Sequence, residues 1–355
     1  MTGPERPGGR LARPAQPPSV ALGAVASRDL ARELLQRVRE EGFRADAEHN
    51  LADVLAALSI EIEVRADVFA NRFSRRRVAE VFGMAWPFVA SGDLSLDGAT
   101  VVELGCGALN PLAALLVHVL AGARLAVGVD LDPPLDPATA ARGLARVATY
   151  ALAEPSLLNP HLAGARADVL RRFAGFDLVK LWLGDPAGID ARRLVLREAP
   201  AERTGLPDAA VDLAYSVSFL EHVANPDAVA HELARITRPG GVGVHAIDGR
   251  DHRCYTAPGH DPLAFLAEPA GPALVHGCNR LRPTQFAAVF ERAGFEVLAF
   301  EEHDRLDVPD ARRAAFAPPF RELPREALEV IGGWVRVRRR WGRRSARLVE
   351  RIRRH

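Results

Sequence analysis

The sequence predicts an α/β protein organised around an open, doubly wound sheet. Three observations carry that expectation. Short apolar runs rich in β-branched residues recur after residue 98, and stretches able to form helices separate them. The first run ends in a glycine-bearing turn, VVELGCGALNP, at residues 101–111. At 355 residues, 48% of them hydrophobic, the chain has the length and the apolar material for one large domain with additions.

Residues 1–24 are rich in Pro, Gly and Arg with little to bury, and read as a disordered tail. A helical subdomain is expected over 25–97. Ser27 suits an N-cap, Leu30, Leu34, Leu35 and Val38 share one face, and Gly42 ends the run. Leu51, Val54, Leu55 and Leu58 continue helical spacing within 47–90. Strands are expected in ATVVEL, ARLAVGVDL, RRLVLRE, AVDLAYSVS and GVGVHAID, the last entered through a Pro-Gly-Gly turn. The stretch 137–190 exceeds one crossover helix and implies an extra helical piece. Residues 252–282 are aperiodic and read as a loop-rich cap insertion. TQFAAVFERAGFEVLAF then predicts a helix, a stop at Gly294 and a strand. The sheet domain is therefore drawn over 98–302. Residues 303–355 form a basic helical extension, its tail WVRVRRRWGRRSARLVERIRRH reading as a solvated amphipathic helix or as a contact for nucleic acid, an acidic partner or a membrane surface.

A formal net charge of +1 gives no global bias toward nucleic acid. Three cysteines, an odd count, suit a reducing compartment rather than a disulfide scaffold. The first twenty residues lack a secretory apolar core, and PLAALLVHVLAGA is too short for a membrane span, so a soluble cytoplasmic protein is expected.

Ligands of open α/β sheets bind beyond the carboxyl ends of the strands, where Gly105 and Gly107 fall. Glycine there admits unusual backbone angles and close approach. A dinucleotide fingerprint would need glycine at position 110, which is Asn110, and the remaining acid-x-Gly-x-Gly also fits a chance turn. Asp130 ends the second strand, where a carboxylate can accept both hydroxyls of a ribose; a helix N-cap at Asp130 or Asp132 is the plainer reading.

Taken in order, ELGCG, GVD, AER..LPD..VDLAYS...LEHV and RPGG resemble the class I S-adenosylmethionine-dependent methyltransferases, in the small-molecule branch. The resemblance covers residues 98–302. It implies a Rossmann-like seven-stranded sheet with its last strand antiparallel, and S-adenosylmethionine as cofactor. It also implies that Glu103, Gly105 and Gly107 line the methionine part, and that Asp130, followed by Leu131, takes the ribose. Glu202 would accept from the adenine amino group with the Arg203 main chain beside it, and Ser216 and Ser218 would meet the sulfonium end. Leu109 stands where the family often has a third glycine, Glu202 replaces the more usual Asp, and Glu198 is near enough to compete for its role. IDGRDH and CNRLRPTQFAAVFERAGFEV resemble a subgroup of bacterial methyltransferases and leave the acceptor open.

The expected activity is methyl transfer to an O or N atom of a small-molecule acceptor such as a sugar, a lipid-linked intermediate or a specialised metabolite. The alternative is a catalytically silent scaffold or regulator using the basic tail. Nucleic acid is disfavoured as acceptor by the near-neutral charge and by the lack of an Asn/Asp-Pro-Pro-aromatic motif. His222, following the fourth strand, is a candidate general base or a packing residue, and Glu221 could orient it. Asp248, Asp251 and His252 follow the fifth strand and are candidate acceptor-pocket residues; Arg250 pairing is the structural alternative. His245 reads as a core histidine. His252, Cys254, His276 and Cys278 form two His-x-Cys pairs that could hold zinc, but the spacing is tighter than usual and no metal is expected. Asn279, Arg280 and Arg282 offer a charged face to an anionic acceptor, or salt bridges within the cap.

Overall fold

The computed structural model describes residues 75–107, 111–134, 136–153, 166–269, 271 and 273–341. The chain divides into two compact units, Met1–Ala66 and Asp67–His355, and every described residue belongs to the second. The tail read over 1–24, the helical patterns over 27–42 and 51–58, Leu109, Asn110 and residues 342–355 lie outside the described residues.

Seven strands form one sheet: β1 (Thr100–Leu104), β2 (Leu125–Asp130), β3 (Leu194–Glu198), β4 (Val211–Val217), β5 (Thr237–Asp248), β6 (Phe295–Arg305) and β7 (Val330–Arg339). Their order is β3-β2-β1-β4-β5-β7-β6. β1 to β5 pair in parallel, while β7 lies between β5 and β6 and runs antiparallel to both. The chain thus leaves β1 toward β2 on one side and returns to β4 on the other, which makes the β1–β4 junction the switch point where such sheets take ligands.

Alternation along the strands feeds two cores. Val101, Ala126, Leu213 and Tyr215 face a layer built from α1 (Arg75–Ala90), α2 (Ala113–Ala121) and α3 (Pro137–Ala153). Val102, Leu104, Val127, Val129 and Ala214 face α6 (Pro226–Ile236) and α7 (Phe286–Arg292). Burial on both faces explains why these strands read as unbroken apolar runs. Between β2 and β3 the extra helical piece is α4 (Arg166–Phe173) and α5 (Leu178–Leu183), the latter capped by Asp177 and stopped by left-handed Gly184.

Two expectations need correction. The basic run from Trp334 does not begin a helix: Trp334–Arg339 belongs to β7, inside the sheet. The Pro-Gly-Gly segment is a bulge within β5, since Thr237 pairs with Val211 and the register then jumps to Val242 opposite Leu213. The loop-rich cap insertion shares a core with the segments that follow it. Leu263, Phe265, Leu266, Val275 and Cys278 pack with Val308, Phe316, Leu328 and Ile331, residues beside α8 (Asp310–Ala314) and in or beside α9 (Arg325–Glu329).

Candidate functional site at the strand ends

The turn after β1 is held by hydrogen bonds to β2. Gly105 and Cys106 donate their N–H groups to the Val129 carbonyl, and Gly107 donates to Oδ2 of Asp130 at 2.6 Å. Gly105 and Gly107 both have positive φ, at 65° and 77°, so the backbone here requires glycine on conformational grounds. Oδ1 of Asp130 accepts from the Asp132 N–H at 3.2 Å. Asp130 therefore fastens the glycine turn to its own strand end, and each oxygen keeps a second lone pair for another donor.

Two neighbours unnoticed in the sequence shape this turn. A Cβ on Gly105 would fall 2.8 Å from Cβ of Phe219 and closer still to its ring, so the space that glycine leaves there is taken by protein. A Cβ on Gly128 would meet Cys106 Sγ at 2.9 Å, so that glycine in β2 lets the turn pack down. Glu103 is buried and accepts from the Tyr215 hydroxyl at 3.0 Å; Tyr215 in turn stacks on His118 of α2. Burial pushes the His118 imidazole down to about 4.

The remaining cofactor candidates divide. Leu131, 69% exposed, stands just beyond β2. Glu202 and Arg203 are exposed on the short helical turn Ala201–Arg203 after β3. Ser218 is exposed beyond β4, held at φ 48° with its N–H on the Ala246 carbonyl. Ser216 differs: it is fully buried, and its hydroxyl is engaged with His245 Nδ1 at 2.9 Å. His245 stacks on Phe290 and is pushed down to about 3 by burial, a core histidine as expected.

On the other side of the crevice the ends of β4 and β5 meet the cap. His222 and His252 lie edge to face with centroids 4.6 Å apart, and His252 packs likewise on Tyr255. Asp248 accepts from the Tyr255 hydroxyl and from the Arg250 guanidinium, and lies 3.6 Å from His252 Nε2. Burial holds the His252 imidazole below its ordinary range against the opposing pull of Asp248. Glu221, buried beneath, has its carboxyl pushed up to about 8 by desolvation, and its Oε1 receives the Asp248 N–H. Asp251 takes no part in this group. It is buried and bound by Arg253 and His260, which hold its carboxyl down to about 2 against burial.

The cationic face read from Asn279, Arg280 and Arg282 is not there. Asn279 Nδ2 donates to the Leu220 and Val223 carbonyls, tying the cap to the turn after β4. Arg280 donates to the carbonyls of Phe265 and Glu268, and fully buried Arg282 to those of Gly249 and Val330. Burial pulls the Arg282 guanidinium down to about 10. Nor do the two His-x-Cys pairs converge as a set of four. His276 turns to Glu268 at 2.6 Å, and the one group among the described residues with metal-ligating geometry joins His222, His252 and Cys278.

Residues 162–244, which run through β3, β4 and most of β5, match a family model described as a methyltransferase domain. Over 133 residues the chain is 31% identical to a protein of Mycolicibacterium smegmatis described as a "probable S-adenosylmethionine-dependent methyltransferase"; the match takes in 37% of this chain and 46% of that relative, less than half its length. Solved structures similar to this chain include an S-adenosylmethionine-dependent methyltransferase from Mesorhizobium loti, at 21% identity over 72% of this chain and 98% of that one, with a TM-score of 0.34. Another, from Methanosarcina mazei, is 12% identical over 72% and 98%, with a TM-score of 0.37. The glycine turn and Asp130 precede the residues that the family model matches.

Proposed function

We propose that this chain transfers a methyl group from S-adenosylmethionine to an O or N atom of a small-molecule acceptor. The observation that carries the reading is the bond from the Gly107 N–H to Asp130 Oδ2, which locks a glycine turn and a ribose-binding carboxylate together at the carboxyl ends of β1 and β2, beside the switch point of the sheet. The residues present fit that cofactor. Main-chain groups after β1 and β4 suit an amino-acid moiety, Asp130 a diol, and exposed Glu202 an adenine amino group.

S-adenosylmethionine supplies an electrophilic methyl on a sulfonium, so orientation of the acceptor contributes much of the rate. Glu103, fixed by Tyr215, presents a polar group below the turn. Beyond β4 and β5, His222 and His252 are the bases within reach of an acceptor, with Asp248 beside His252 to favour the imidazolium when a proton arrives. The cap carries Cys278 and Asn279 against these residues and is placed to exclude water.

Calorimetry tests the proposal. The intact chain should bind S-adenosylmethionine, and Glu202→Ala and Asp130→Asn should each weaken binding by about 10- to 100-fold, the worth of a charge-assisted hydrogen bond. Glu202 is exposed, so its removal leaves the fold alone. Absence of binding by the intact chain defeats the reading.

A further inference from the structure

We propose that His222, His252 and Cys278 form a binding site for a divalent transition metal, zinc by its donor set. The three come from segments far apart in sequence: the turn Leu220–His222 after β4, the turn His252–Tyr255 after β5, and the cap bridge between Val275 and Cys278. Each offers one ligating atom, and these atoms all lie within 4.8 Å of one another. A tetrahedral ion with bonds of about 2.0–2.3 Å sets its donors about 3.3–3.8 Å apart. The exposed His222 ring can pivot about the bond between its Nδ1 and the Gly277 carbonyl to close the difference.

Hydrogen bonding prepares the imidazoles. His222 Nδ1 lies 2.8 Å from the Gly277 carbonyl, which can only accept, so Nδ1 carries the proton and Nε2 keeps its lone pair. An imidazole fixed through one nitrogen by a carbonyl and free at the other is the arrangement that metal-bound histidines use. The backbone that makes this bond also aims the thiol. His276 and Gly277 both take positive φ, at 48° and 80°, and turn Cys278 inward to a buried position. His252 Nε2 is buried without a hydrogen-bond partner, a cost that ligation in its neighbourhood would relieve.

Two nitrogens and one sulfur suit zinc better than magnesium or calcium, which prefer oxygen. On ligation the Cys278 thiol releases its proton to solvent, and the nitrogens bind through lone pairs with no change of oxidation state. Asp248 is already taken by Tyr255 and Arg250, so the fourth position falls to water or to an acceptor heteroatom. A coordinated O–H or N–H would lose its proton more readily there, in place of transfer to a free imidazole. The metal site itself stands whether or not the chain transfers methyl groups.

Cobalt(II) replaces zinc in such sites and reports its ligands. Titration of the intact, chelator-stripped chain with Co(II) should produce a thiolate charge-transfer band together with the intense visible bands of a tetrahedral centre, saturating at one equivalent and bleached by zinc. Cys278→Ser should abolish the charge-transfer band. His222→Ala, an exposed position that leaves the fold intact, should weaken Co(II) binding by at least 10-fold. Cys254→Ser and His276→Ala should leave both signals unchanged. No tetrahedral spectrum in the intact chain, or a charge-transfer band that survives Cys278→Ser, overturns the proposal; loss only in Cys254→Ser would assign the metal to the His-x-Cys pairs instead.

Discussion

A methyl group on residue 105 would meet the Phe219 side chain while forcing alanine to a φ of 65°. The two penalties are separable. The left-handed backbone costs an alanine on the order of 1–2 kcal/mol, and the overlap about 1–3 kcal/mol more. Gly105→Ala should therefore lower stability by about 2–4 kcal/mol in urea unfolding, and Phe219→Ala in the same chain should remove the overlap and leave the backbone part. A loss in the single variant that Phe219→Ala does not reduce would mean Phe219 does not seat on that glycine. The requirement for glycine at 105 was legible from ELGCG, but its cause was not. Pattern suggested room for a ligand, whereas the neighbour that fills the room stands more than a hundred residues later. Asp130 was legible as a strand-end acid, but its bond to the Gly107 N–H was not.

Strand β7 shows where elements escape a sequence reading. Val335 and Val337 are buried on one face, while Trp334, Arg336 and Arg338 alternate with them on the other. That is strand periodicity, concealed because the second face is arginine rather than a neutral polar residue. The charges are consumed locally: Arg336 pairs with Glu301 of β6, Arg338 with Asp93, and Arg339 donates to the Ala234 and Gly294 carbonyls. These residues are therefore not available to a partner, unlike a solvated basic helix. The cap repeats the lesson, because Arg280 and Arg282 bind carbonyls where acids seemed the natural partners. Arg282 joins the end of β5 to the start of β7 through Gly249 and Val330. Arg282→Met fills similar volume but strands two buried carbonyls, and should cost about 2–4 kcal/mol in denaturant unfolding. A loss below about 1 kcal/mol would show that those carbonyls find other donors.

At the scale of the whole molecule, each of the two layers that sandwich the sheet buries a histidine in neutral form. His118 sits in the α2 layer, held down to about 4, and His245 faces Phe290 of α7, held down to about 3. The unfolded chain takes up these protons near the ordinary value of 6.5, the folded chain only well below it. Their contribution is thus intact above about pH 6.5 and is lost as pH falls toward the folded values, by up to about 1.4 kcal/mol per pH unit for each ring. Glu221, raised to about 8, titrates in the opposite sense, so the summed profile hides the effect. Comparison with His245→Gln cancels every group but one. The variant loses packing and the Ser216 bond and should be the less stable protein at pH 7. It also escapes the acid penalty, so its deficit should narrow by about 1.4 kcal/mol per unit as pH falls from 6.5 to 4.5. Urea unfolding of both proteins across that range, with chelator present, makes the measurement; a deficit independent of pH would show that His245 exchanges protons in the fold as freely as in the open chain.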